Sequence, residues 1–295
     1  MFLHSHERHI VEKATLRCVR MAGGLFLLLV IAVASGSEAQ SLPQRQLRVC
    51  ADPNNLPFSN ERLEGFENKL AELIAHELNA TLTYTWWAQR RGFIRNTLKA
   101  TTCDLLMGVP KRLDAVLTTS PYYRSTYVFV YRPENGLTVR SLDDPILRTV
   151  KIGVQLIGND GANSPPAHAL ARRHIIENVV GYSVYGDYAQ PNPTARIIEA
   201  VATGAVDVAV VWGPIASYFA RSQSVPLAVV PVTPSRDTPT LPFVFDIALG
   251  VRRGEEAFRA ELDAILQRRR PDINRILDEY GVPRVEMSEP RSAVQ

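Results

Sequence analysis

Apolar and polar residues alternate from Leu47 to Ala51: Leu47, Val49 and Ala51 share one side and Arg48 and Cys50 the other, which predicts a strand. The next stretch, "DPNNLPFS", is rich in turn formers (Asp52, Pro53, Asn54, Asn55, Pro57), so the strand opens onto a polar loop. In α/β sheets ligands usually sit at such carboxyl ends. The spacing becomes helical across "GFENKLAELIAHELNA", where Phe66, Leu70, Leu73, Ile74 and Leu78 recur and Asn79 ends the run. "TLTYTWW" alternates again as a strand. "RRGFIRNTLKATTC" places Phe93, Ile94 and Leu98 on one face of a predicted helix and leads into the apolar strand "DLLMGV". This β-α-β-α-β order implies a parallel sheet covered by helices. "STYVFVYR" is a further strand, and "YRPENGL" marks a crossing out of a first lobe.

The pattern then restarts. "SLDDP" signals a helix start, "VKIGVQL" a strand, and "IGNDGANSPP" a glycine-rich loop before the helix "AHALARRH". "VVGYSVY", "AVDVAVVW" and "LAVVPV" read as strands, with helices "ARIIEAVATG" and "GPIASYFARSQ" around the second of them. The proline-rich "TPSRDTPTLP" is the expected return crossing to the strand "FVFDIALGVRR". Two terminal helices follow, parted near Pro271. The expectation is an α/β protein of two lobes, each a mostly parallel sheet flanked by helices. Residues 45–132 and 240–288 form the first lobe, 137–233 the second, and 289–295 a flexible tail. The loop after Ala51 should line the groove between them.

Composition narrows the function. The chain has 295 residues, which agrees with two lobes on a prior of roughly 150 residues per domain. A net charge of +3 is too balanced to point at nucleic acid. Residues 1–39 have a basic start, the apolar core "GGLFLLLVIAVA" and the small-residue stretch "SGSEAQ", the layout of a secretory signal cut after Ala39. That core is too short to span a bilayer, so a periplasmic protein with no stable membrane span is expected. His4, His6, His9 and Cys18 would leave with the leader. Cys50 and Cys103 remain, and an exported protein with one pair of cysteines invites a disulfide; two buried thiols are the alternative.

The order of elements resembles the two-lobed (type II) periplasmic solute-binding proteins of ABC transporters, especially the polar amino acid type. "ADPNNLPFS", "MGVPKRLDAV", "TTSPYYRSTYVFV", "VKIGVQL" and "GAVDVAVVWGPIASYF" carry that likeness. More narrowly, "CADPNNLPFSN", "YTWWAQRRGFIRNTL", "SPYYRSTYVFV", "GVQLIGNDGANSPPAHALARR", "VYGDYAQPNP" and "VVWGPIASYFAR" are similar to the J proteins of methanol oxidation clusters, also described as quinoprotein dehydrogenase-associated substrate-binding proteins. The resemblance implies a noncatalytic periplasmic accessory of a PQQ-dependent methanol or alcohol dehydrogenase and its cytochrome c. It implies no cofactor of its own.

The amino acid binders clasp the ligand carboxylate with the arginine of the turn that Arg112 occupies, and a guanidinium offers paired donors for that task. Arg112 is therefore either a clasp or a solvated turn residue. Where those proteins place an acid to meet the ammonium, this chain has Trp212 and Gly213, which argues against a zwitterionic ligand. Asp187 could supply the charge from another loop. Asp52 and Asn54 contact a ligand or simply form the turn, and Phe58 and Gln155 complete the candidate cleft. In "WWAQRR", Trp87 is a platform and Arg90 and Arg91 are donors, unless the ring packs and the arginines snorkel. Of Tyr122 and Tyr123 at least one should be buried. "GNDGANS" suits an anion but lacks the spacing and lysine of a nucleotide loop. "GYSVYGDYAQPNP" either presents aromatic area to a partner or seals its lobe. "RRR" at Arg268–Arg270 reads as a solvated helix end. Asp143 with Asp144 and Glu255 with Glu256 read as helix starts, and His76, His168 and His174 lie on predicted helices. Two other functions compete: a transport receptor for a small organic anion, and a dehydratase-like enzyme using Asp52 or Asp187.

Overall fold

The computed structural model describes residues 44–157, 163–184 and 188–286. The expected leader, the tail at 289–295, most of "GNDGANS" and Asp187 lie outside the described residues.

The alternating start forms β1 (Gln46–Ala51), followed by the paired β2 (Asn54–Asn55) and β3 (Ser59–Asn60) inside the polar loop. Next come α1 (Phe66–Glu77), β4 (Thr81–Trp86), α2 (Phe93–Asn96), β5 (Leu105–Pro110), β6 (Leu117–Thr118) and β7 (Tyr123–Tyr131). The second repeat gives β8 (Ile152–Leu156), α3 (Pro165–Arg172), β9 (Val179–Ser183), α4 (Arg196–Thr203), β10 (Val208–Trp212), α5 (Gly213–Ala220) and β11 (Ala228–Pro231). The return segment holds the pair β12 (Arg236–Thr238) and β13 (Leu241–Pro242); β14 (Val244–Val251), α6 (Glu256–Arg268) and α7 (Arg270–Glu279) complete the chain. Pro271 stands in the first turn of α7, where its missing N–H breaks no helical bond.

One expected element is much shorter than its apolar spacing suggested. The helix across "RRGFIRNTLKATTC" amounts to four residues, Phe93–Asn96. Gly92 enters it at φ +90°, Thr101 sits at φ +58°, and the Thr97 hydroxyl donates to the Phe93 carbonyl; together these turn the chain instead of extending the coil.

Strands joined by a helix run parallel, β1 beside β4 and β5, and β8 beside β10 and β9. β7, which travels between the lobes, and β14, which follows the return segment, pair antiparallel with their neighbours. The order is β4-β1-β5-β14-β7-β10-β8-β9, so both halves share one continuous path. The change of partner falls inside β7. Tyr123–Thr126 pair with β14, whereas Tyr127–Tyr131 pair with β10 and Val128–Tyr131 also with β11. The chain therefore crosses within a regular strand, upstream of the proline and glycine that mark "YRPENGL".

Phe66, Leu70 and Ile74 of α1 are buried against Leu47, Val49 and Leu105, each such side chain gaining about 1.5–3 kcal/mol from burial. α6 and α7 close the same core with Leu262, Ile265, Leu266 and Leu277. Cys50 and Cys103 are joined in a disulfide with Cα atoms 5.4 Å apart, inside a small cluster with Phe93 and Leu106. Beside it Asp104 accepts from the guanidiniums of Arg48 (2.6 Å) and Arg252 (3.0 Å), tying β1 to the end of β14.

Candidate functional site

Ser59 folds the loop after β1 back on its strand: its hydroxyl donates to the Asp52 carbonyl at 2.8 Å and accepts the Asp52 N–H at 3.2 Å. Asp52 is thereby held inward, 3% exposed. Its Oδ1 accepts the Asn54 N–H at 2.8 Å, a local turn bond. Its Oδ2 accepts the Gln89 N–H at 2.6 Å and the Tyr188 hydroxyl at 2.5 Å. One carboxylate thus gathers the first loop, the segment after β4 and a residue of the second half. Burial, and then the Asp52 carboxylate, hold the Tyr188 phenol well above its ordinary range, so it stays protonated and donates.

Behind Asp52 lies Glu67, a residue that sequence reasoning did not single out. It shares a helix face with Leu70, Ala71 and Ile74 and is buried with them. Burial first, then the nearby Asp52 charge, push its carboxyl up to about 8. Gly108 of β5 makes room for it: at φ +56°, a Cβ there would stand 2.0 Å from Glu67 Oε1. Gly108→Ala is therefore expected to cost about 1–3 kcal/mol, read as a lower urea midpoint with an unchanged m-value. Tyr122 and Tyr123 pack on the same side, 1% and 2% exposed, with ring centroids 5.0 Å apart. The Tyr122 hydroxyl is buried with no hydrogen-bond partner. Burial and then Glu67 raise both phenols far above their usual range.

The other candidates divide between the groove and the surface. Asn54 donates its amide to the Gln190 carbonyl at 2.8 Å, and the Thr194 hydroxyl donates to the Leu56 carbonyl at 2.8 Å. Leu56 itself is lodged in the second-lobe core with Ala195, Ile198 and Phe219. Phe58 touches the cores of both lobes and meets Phe66 edge-on at 5.4 Å. Gln155 is buried at the end of β8, where its Oε1 accepts the Trp212 N–H at 3.0 Å. Trp212 in turn lies edge-on to Tyr127 at 5.3 Å and Phe245 at 5.9 Å. A cavity of about 410 Å³ remains alongside, lined by Asn54, Arg62, Tyr188 and Gln190 among others. Arg112, by contrast, is exposed on the turn after β5, and no hydrogen bond or ion pair engages its guanidinium among the described residues. Trp87 is 43% exposed, and Arg91 lines a different cavity on the first lobe. Asp52, Asn54, Phe58, Gln155 and Trp212 thus meet at the junction of the lobes, while Arg112 and Trp87 are exposed, Arg91 lines the first-lobe cavity and Tyr122 is core.

Among the described residues, no three of His, Cys, Asp or Glu are grouped to hold a metal ion. No described helix is long and apolar enough to cross a membrane. His168 is occupied at Nε2 by the Asn163 N–H at 3.3 Å.

Residues 47–283 match the model of the bacterial extracellular solute-binding proteins, family 3. The chain belongs to that family. This family 3 protein is similar to Protein MoxJ of Methylorubrum extorquens, 33% identical over 85% of this chain and 86% of the relative. It is 27% identical to Protein MoxJ of Paracoccus denitrificans over 86% and 93% of the two chains. Among solved structures, periplasmic binding protein XoxJ from Methylobacterium extorquens AM1 is 36% identical with a TM-score of 0.67, covering 82% of this chain and 100% of that one. MxaJ from Methlophaga aminisulfidivorans MPT is 26% identical with a TM-score of 0.68, over 81% and 100%. The expected resemblance to the J proteins and the type II binding fold are both borne out by these matches.

Proposed function

We propose that this family 3 protein is a noncatalytic periplasmic accessory of a PQQ-dependent methanol or alcohol dehydrogenase and its cytochrome c, acting by protein contact. One observation carries the reading: the polar groups at the lobe junction are engaged with one another. Asp52 is filled by Asn54, Gln89 and Tyr188, and Gln155 by Trp212, while Leu56, Phe58, Tyr127, Trp212 and Phe245 supply apolar contact there. A receptor for a small solute needs donors and acceptors left over for the solute, since each buried group must otherwise give up a bond to bind it. The MoxJ relatives and the XoxJ and MxaJ structures support placing the protein in this system. The test mixes the purified protein with its cognate quinoprotein dehydrogenase and measures complex formation by analytical ultracentrifugation and dye-linked turnover. A complex and a change in turnover or in heat-inactivation half-life are expected. No complex together with no change in either would overturn the reading.

A further inference from the structure

A cavity of about 540 Å³ lies wholly within the first half of the chain, because every residue lining it falls between Gln89 and Ala115. Only Gln89 of its lining also takes part in the lobe junction, through its N–H to Asp52. Its charged lining is Arg90, Arg91, Arg95 and Lys99, all exposed, with no Asp or Glu among them. Its floor is apolar, including Phe93 and Leu113. Gly92, at φ +90°, turns the chain so that the Arg95 guanidinium folds back over it, 3.3 Å from where a Cβ would be. Elsewhere several arginines pair with carboxylates, as Arg45 does with Glu261, Arg124 with Asp246 and Arg173 with Asp237. Arg90, Arg95 and Lys99 have no such partner among the described residues.

The geometry points to a binding site for an organic polyanion: a flat or compact carbon body bearing two or more carboxylates. Several cations over one hollow call for more than one negative charge, and guanidiniums match carboxylates as paired donors. The apolar floor calls for a carbon skeleton and disfavours a bare inorganic ion. The volume falls within the range of roughly 300–1,000 Å³ usual for small-molecule sites. An amino acid is excluded by charge, as its ammonium would meet no acid in this lining. The site shares only Gln89 with the junction proposed for partner contact, and its test uses the purified chain without the dehydrogenase.

The test is isothermal titration calorimetry of the purified chain at physiological salt, with benzene-1,3,5-tricarboxylate, citrate and benzylamine as probes. Benzenetricarboxylate is expected to bind more tightly than citrate, and benzylamine not at all. Arg90→Ala/Arg95→Ala/Lys99→Ala should weaken benzenetricarboxylate binding about tenfold or more, the loss of charge-assisted bonds. An equal charge loss at three exposed positions of the second half, Lys151→Ala/Arg196→Ala/Arg236→Ala, should leave it unchanged. Circular dichroism confirms that both variants are folded. Absence of tricarboxylate binding overturns the inference, as does equal weakening by the two triple variants. Dependence on Arg112→Ala in place of the first triple would move the anion to the turn after β5 and overturn it as well.

Discussion

Glu67→Gln is expected to flatten the pH dependence of stability, with little effect at pH 4 and a large gain at pH 8. In the folded protein the Glu67 carboxyl is pushed up to about 8 by burial and by the neighbouring Asp52 charge. In the unfolded chain it titrates near an ordinary glutamate value of about 4.3. The folded state therefore keeps a proton that the unfolded state releases throughout the window between those values. Stability from this group is complete below the unfolded pKa and is lost as pH rises through the folded one. The slope is about 1.4 kcal/mol per pH unit, so the loss across the window is of order 4–5 kcal/mol. Glutamine keeps the shape and cannot ionise. Urea midpoints between pH 5 and 9 should fall for the wild type and stay level for Glu67→Gln once other groups are matched. Parallel curves would show that Glu67 is ionised in the fold and would remove this account. Because Asp52 is the second cause of the shift, Asp52→Asn should move the steep part of the wild-type curve to lower pH.

The same residue shows what was legible in the sequence and what was not. The face of α1 that predicts burial of Leu70 and Ile74 also contains position 67, at i−3 and i−7. A buried acid was thus readable from periodicity, although an acid in a first turn also has an ordinary explanation in the helix dipole. The strands and most helices follow from local spacing, and so do the neighbouring strands that bring Cys50 to Cys103. The failure at α2 has a local cause too: two residues at positive φ break a run whose apolar spacing was helical. What local pattern could not carry is partnership over distance. β7 reads as one strand whether it serves one sheet or two, and only the pairing of Tyr127–Tyr131 with β10 reveals the crossing. Asp52 and Tyr188 are 136 residues apart, and "GYSVYGDYAQPNP" gives no sign of which tyrosine returns to the first loop. Arg112 shows the converse. Its place in the turn was legible, whereas its exposure depends on what the second half brings near it.

Asp52→Ala is expected to cost about 3–5 kcal/mol, because it strands several donors around a buried acceptor instead of removing one bond. The Asn54 N–H regains water most easily, since its turn lies beside the groove cavity. The Gln89 N–H and the Tyr188 hydroxyl bonded the same oxygen and lose a charged partner, the stronger class of bond. Tyr188→Phe removes one donor and leaves the carboxylate with the other two, so its expected cost is smaller, about 1.5–3 kcal/mol. In the double variant the Tyr188→Phe effect should largely vanish, because its acceptor is already gone; the cycle then measures the link between the halves directly. The readout is urea unfolding of the four proteins, paired with limited proteolysis near Tyr188. Faster cleavage there is expected in both single variants, since the segment after β9 loses its tie to the first loop. Additive losses and unchanged cleavage would mean that Asp52 serves only its own turn. The lobe junction would then be held by Leu56, Phe58 and Trp212 with the Asn54–Gln190 and Thr194–Leu56 hydrogen bonds, and a dehydrogenase contacting that junction would meet a mostly apolar seam without a charged tie through Asp52.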